Sequence, residues 1–177
     1  METKKNKIPI DITDHFITGE IDGDKVESAI KWIVSANKQE EAKTLTLHLN
    51  SEGGALADAF ALIDWIQSSK IPVATLGAGS IMSAAFLIFA SGAKGGRGIA
   101  KNTSIMVHQF SHEYTGKYHD VKSYTSELER FNERMINVIS GATKLDNAFL
   151  KKNLFKPTDV WLEAKDLIKL EIADYIF

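Results

Sequence analysis

Two hydrophobic rhythms trade places along this chain. Val26, Ala29, Ile30, Ile33 and Val34 recur at helical spacing, which predicts a helix over about 24–36. Thr44 to Leu49 reads TLTLHL, a strand pattern, and it stops at Asn50-Ser51-Glu52-Gly53-Gly54. Ala55, Ala59, Leu62, Ile63 and Ile66 then share one face of a second helix. Ile71-Pro72 leads into a strand over 73–76, and Gly77 and Gly79 read as a tight passage into Ser80-Ile81-Met82-Ser83. Residues 83–90 are apolar almost throughout, so a helix there should be buried on every side. Gly92, Gly95, Gly96 and Gly98 read as a loop around Lys94 and Arg97, before a strand over 104–108.

A polar run then precedes a long helix over about 121–139. Its apolar positions are Val121, Tyr124, Leu128, Phe131, Met135, Val138 and Ile139, with charged residues between them. Shorter helices over 145–154 and 164–170 and a terminal strand over 172–176 complete the reading. Thr158-Asp159 reads as a turn cap before Trp161-Leu162. A strand near Phe16 to Thr18 opens the pattern; residues 1–7 read as a disordered tail and 37–42 as a turn. A strand, a Gly-Gly turn and a helix in succession signal an α/β crossover, so the fold class is α/β.

Composition narrows the function classes. At 177 residues the chain fits one domain, spanning 1–177, around one core. Apolar residues make up 44% and no run reaches membrane-spanning length. The absence of cysteine excludes disulfides, thiolate nucleophiles and Cys-based metal sites, and fits a cytoplasmic protein. A net charge of -2 gives no footprint for nucleic acid. No phosphate-binding loop, HExxH or GxSxG motif is present, and although His108 and His112 are four apart, His108 sits at a strand end with polar residues after it. No cofactor and no metal are expected.

Three side chains and one turn remain. Ser83 begins the apolar helix, where free N–H groups favour developing negative charge and suit a nucleophile. A helix cap is the ordinary role of a serine there, and Ser80 is its competitor. His108 ends an apolar strand, where a core-edge histidine is the commoner case. Asp159 follows Pro157-Thr158, where a cap is the bland reading. At Gly53-Gly54 the backbone is unshielded, so an amide there, with that of Ala84, suits an oxyanion hole as well as a plain turn.

These segments resemble the ClpP-type serine peptidases, the proteolytic subunits that work with Clp ATPases. The resemblance rests on FITGEI (16–21), LNSEGGALADAFALIDWI (49–66), GAGSIMSAAFLIFASGAKGGR (77–97), NTSIMVHQ (102–109) and TDVWLEAKDLIKLEIADYI (158–176). It implies Ser83 as nucleophile, because Gly92-Ala93-Lys94-Gly95 follows nine residues on, and Ser80 as non-catalytic. It implies His108 as base, Asp159 as its carboxylate partner, and the Gly54 and Ala84 amides as the oxyanion hole. The implied fold is the ClpP/crotonase-like spiral of ββα units with a projecting handle helix, here 118–140, after a short N-terminal segment, 1–15. The implied assembly is two stacked heptameric rings enclosing a chamber for unfolded proteins or short peptides.

The chain departs from the family pattern in places. Ala84 stands where methionine usually follows the serine, and Glu52 where proline is common. Phe110 replaces the proline that usually follows His-Gln, and Thr158 replaces an arginine that couples ring contacts to the triad. The substrate-lining stretch reads Ser111-His112-Glu113-Tyr114-Thr115-Gly116, and the segment before Phe16 is short, which bears on pairing with a Clp-type AAA+ unfoldase. Two other classes compete with the endopeptidase: a catalytically silent subunit of a mixed ring, and a crotonase-type acyl-CoA enzyme.

Overall fold

The computed structural model describes residues 13–38, 43–111 and 115–177. The expected N-terminal tail lies outside these residues, as do most of the expected 37–42 turn and the middle of the 111–116 stretch. Within them the chain alternates seven strands with six helices.

The order is β1 (Asp14–Thr18), α1 (Gly23–Ala36), β2 (Leu45–Ser51), α2 (Leu56–Ser68), β3 (Val73–Met82) and α3 (Ala84–Ala90). There follow β4 (Arg97–Ile99), β5 (Ser104–Val107), α4 (Tyr118–Ala142), α5 (Asn147–Asn153), β6 (Val160–Leu162), α6 (Ala164–Lys169) and β7 (Tyr175–Ile176). The main sheet runs β1-β2-β3-β4-β7, every neighbour pair parallel. Parallel strands need crossovers, and α1, α2 and α3 supply them. This is the mixed α/β class expected from the sequence, with a largely parallel sheet.

One face of the sheet carries the core. Leu45, Leu47 and Leu49 of β2 are buried while Thr46, His48 and Asn50 between them turn to the other face, as the two-residue strand period requires. α1 buries Val26, Ala29 and Ile33, and α2 buries Ala59, Leu62, Ile63 and Ile66. α3 is buried at all seven positions, as its unbroken apolar run demands. Truncating one of its large side chains, Phe86→Ala, costs roughly 3–5 kcal/mol in such a setting. α1 starts at Asp22, whose carboxylate accepts from the Lys25 N–H at 2.9 Å.

β3 departs from the expected 73–76 strand. It continues through Gly77 and Gly79 to Met82, and both positions suit glycine, since Ile81 and Ile99 fill the space of a Cβ at Gly77 and Asn50 that at Gly79. The extra length matters. The first half of β3 pairs with β4, at Thr75 to Gly77, and the second half with β5, at Ser80 to Met82. β4 itself lies within the segment read as a glycine loop, and β6 takes up Trp161-Leu162 after the expected Thr158-Asp159 turn.

The C-terminal strand is held by an ion pair whose arginine is buried. Arg97, 3% exposed, donates Nε at 3.0 Å and Nη2 at 2.7 Å to Asp174, and Nη1 at 3.1 Å to the Ala142 carbonyl. The Gly95 and Arg97 amides donate to the same carboxylate. Burial acts to raise the Asp174 pKa, but hydrogen bonds and charge from Arg97 outweigh it and hold the carboxyl below its ordinary value.

α4 divides in two. Its C-terminal half buries Met135, Ile136 and Ile139. In its N-terminal half Tyr118 is 74% exposed and Val121 is exposed too. No helix among the described residues is long and apolar enough to cross a membrane.

Candidate active site

The site forms where two parallel strands end together. β3 and β5 run in register up to Met82 beside Met106, so the residues that follow each strand emerge side by side. Ser83 follows β3 directly, and His108 follows β5 directly. The Ser83 N–H donates to the Met106 carbonyl at 3.0 Å, which ties the Ser83 backbone to the strand that precedes His108. The outcome is a 2.7 Å hydrogen bond between Ser83 Oγ and His108 Nε2.

Ser83 bends the chain sharply. Its φ of 52° and ψ of -123° lie in a region that L-residues rarely adopt. The cost of such a conformation, on the order of 1–3 kcal/mol, persists only where surroundings enforce it. Here they are the bond to Met106, the Phe86 N–H donating to the Ser83 carbonyl at 3.0 Å, and the buried α3 that follows. Ser83 occupies the N-cap position of α3 but makes no side-chain cap bond. Its hydroxyl points to imidazole instead, so the ordinary capping role does not apply.

The Gly53-Gly54 turn lies against the serine. A Cβ on Gly53 would stand 2.7 Å from Ser83 Cβ and 3.2 Å from the Ala84 nitrogen, and the Gly53 φ of +106° suits glycine alone. Gly54 forms a parallel bridge with Ile21, in which Ile21 N–H donates to the Gly53 carbonyl and Ala55 N–H to the Ile21 carbonyl. That bridge uses the groups on either side of Gly54, so the Gly54 N–H faces the opposite edge of the turn. The Ala84 N–H is the first of α3, with no carbonyl one turn back to accept it. Beside the turn is a cleft of ≈ 460 Å³, lined by Glu20, Asn50, Glu52 and Ser80 among others.

Asp159 is brought near but not joined. β6 runs antiparallel to β5 with Val160 beside Val107, and one further step of that register sets Asp159 opposite His108. Asp159 is exposed, and no hydrogen bond or ion pair links it to the imidazole. Ser80 sits three residues back in β3, with its amide bonded to Asn50 Oδ1 at 2.9 Å. Among the described residues no hydrogen bond joins Ser80 to His108. Among the described residues no group of three or more His, Asp or Glu side chains gathers as a metal site.

A serine hydroxyl on an imidazole, next to an unshielded Gly-Gly turn and a helix N-terminus, is equipped for acyl transfer. The model of the Clp protease family matches residues 10–177. The chain belongs to the Clp protease family. Relatives include the ATP-dependent Clp protease proteolytic subunit 1 of Borreliella burgdorferi, 27% identical over 161 residues, covering 91% of this chain and 82% of that protein. The ATP-dependent Clp protease proteolytic subunit of Borreliella afzelii is 27% identical over 91% of this chain and 81% of its own length. That of Borrelia garinii subsp. bavariensis is likewise 27% identical, over 91% and 82%. Membership makes this a chain of a peptidase family, whose chemistry is hydrolysis of peptide bonds.

The residues that sequence reasoning passed over lie behind the pair. Gln109 Nε2 donates to the Phe155 carbonyl at 2.8 Å, and Asn132 Oδ1 accepts from the Phe110 N–H at 2.9 Å. Neither has a sequence signal of its own, since a polar residue beside a strand end or on a helix reads as solvent-facing.

Proposed function

We propose that this chain is a serine endopeptidase that cuts unfolded proteins or short peptides inside an oligomeric chamber. The observation that carries the reading is the 2.7 Å contact between Ser83 Oγ and His108 Nε2. His108 takes the hydroxyl proton as Ser83 attacks a peptide carbonyl, then gives it to the leaving amine. The tetrahedral oxyanion is received by the Gly54 and Ala84 amides, each such donor contributing roughly 3–4 kcal/mol to the transition state. Water then attacks the acyl-enzyme, with His108 again as base. Asp159 orients the imidazole and stabilises its charged form once its side chain turns inward from the position opposite His108. No cofactor or metal has a part in these steps.

The exposed apolar start of α4 supports self-association. In this reading residues 118–140 are a handle that a second ring covers, two heptamers stack, and residues 1–177 are one peptidase domain whose first part is the short segment 1–15. The relatives are ATP-dependent by name, so a Clp-type AAA+ unfoldase is the expected partner in the cytoplasm. The silent-subunit reading draws on one observation, the unbonded Asp159. Turnover of a small peptide by wild type and Ser83→Ala separates the two: the endopeptidase loses turnover with the hydroxyl, whereas a silent subunit has none to lose.

A further inference from the structure

His108 stands one residue beyond the end of β5, so no ladder bond holds it on its C-terminal side. What holds it there comes from the Gln109 side chain, whose Nε2 donates to the Phe155 carbonyl after α5, and from α4. The Phe110 N–H, two residues on, donates to Asn132 Oδ1 at 2.9 Å. Asn132 is itself fixed in orientation, because its Nδ2 donates to the Leu128 carbonyl one turn back at 3.1 Å. The Phe110 ring packs on Phe131, the neighbouring residue of α4, with centroids 4.9 Å apart, and Phe131 stacks on Phe60 of α2. The amide and the ring of Phe110 are thus gripped by consecutive residues of one helix.

We propose that Asn132 is a positioning residue for the peptidase reaction, holding His108 against Ser83 by clamping the Phe110 amide to α4. The inference rests on the endopeptidase reading above. His108 sits between two fixed points, Val107 in the ladder and Phe110 on Asn132, and a hydrogen bond of 2.7 Å tolerates little drift of either. Misplacement of a catalytic group by about 1 Å costs roughly 10²-fold in rate. The acceptor oxygen is the part that matters, since the Phe110 N–H must find it. A carboxylate at 132 keeps an acceptor there, and an isosteric aliphatic side chain does not.

The test compares Asn132→Leu, Asn132→Asp and Ser83→Ala with wild type, using a fluorogenic peptide and amide hydrogen exchange over residues 104–111. Asn132→Leu is expected to lower kcat by roughly 10- to 100-fold with KM within about twofold, and to speed exchange of the Phe110 amide. Asn132→Asp is expected to restore both to within about threefold of wild type, which a merely structural loss in α4 would not allow. Where Asn132→Leu does not assemble, Phe110→Pro removes the same bond from the other side, and Asn132→Asp in that background should then change nothing further. Unchanged kcat in assembled Asn132→Leu, or no rescue by Asn132→Asp, overturns the clamp. Turnover surviving in Ser83→Ala overturns the nucleophile assignment instead, and the exchange of the Phe110 amide still reports on the clamp.

Discussion

His108 and Asp159 face each other across the end of an antiparallel pair without touching. One step beyond the β5–β6 register sets them opposite, and among the described residues the imidazole is engaged through Nε2, with Ser83. Ser83 and His108 are therefore brought together by the parallel β3–β5 register, and Asp159 depends on the separate antiparallel β5–β6 pairing. Asp159→Asn should lower kcat by roughly 10² to 10⁴-fold, and His108→Ala by roughly 10⁴ to 10⁶-fold, with assembly intact. Peptide turnover on size-verified assemblies checks this, and an Asp159→Asn enzyme with wild-type kcat would remove Asp159 from the reaction.

Backbone strain at Ser83 predicts a trade between stability and activity. Ser83→Ala keeps a Cβ at a φ of 52°, while Ser83→Gly removes it. The strain relieved is about 1–2 kcal/mol, and the greater freedom of glycine in the unfolded chain offsets about 0.4–1 kcal/mol of that. Ser83→Gly should match or exceed Ser83→Ala by up to about 1 kcal/mol in denaturant unfolding, both being inactive. A glycine variant clearly less stable than the alanine one would mean that the serine conformation is not strained.

Crowding at the Gly-Gly turn gives a second mutational expectation. A Cβ on Gly53 meets Ser83 Cβ and the Ala84 nitrogen, two parts of the proposed site at once. Gly53→Ala should lower kcat by at least about 10²-fold, because the nucleophile or the oxyanion amide must shift. The same change should destabilise the fold by roughly 1–3 kcal/mol. Thermal unfolding beside peptide turnover measures both effects; wild-type turnover would show that the turn does not abut the reacting atoms.

The Arg97–Asp174 pair sets an acid limit. The Asp174 pKa is lowered in the folded state, so its contribution is fully present above the unfolded value of 3.8 and is lost as pH falls through the lower folded value. Wild type should lose stability from this pair only below about pH 4. Asp174→Asn leaves Arg97 buried without its counter-charge and should cost roughly 3–5 kcal/mol at neutral pH. Its stability should then fall less steeply than wild type below pH 4. Denaturant unfolding across pH tests the sign, and parallel curves would contradict it.

Much of this was legible in the chain because the long periodic segments speak for themselves. The buried α3, the β2 alternation and the helices α1 and α2 follow from hydrophobic spacing, and the resemblance carried by residues 77–109 pointed to Ser83 and His108. What stayed hidden is short or long-range. β4 and β6 have three residues each, too few for a two-residue period to register. Gly77 and Gly79 imitate a loop, although they lie in a strand to make room for Ile99, Ile81 and Asn50. Arg97 pairs with a residue 77 positions away, and Asn132 bonds a backbone amide 22 positions away, which no local pattern encodes.

Attack on the peptide by the Ser83 hydroxyl, activated by His108, is open to direct chemical test. The most direct measurement is treatment of the assembled protein with a fluorophosphonate, followed by peptide mass mapping and turnover of a fluorogenic peptide. The account predicts a single adduct on Ser83, with loss of turnover in proportion to labelling, and no adduct in Ser83→Ala or His108→Ala. An adduct on Ser80, or full peptide turnover by a protein whose Ser83 is wholly modified, would contradict it.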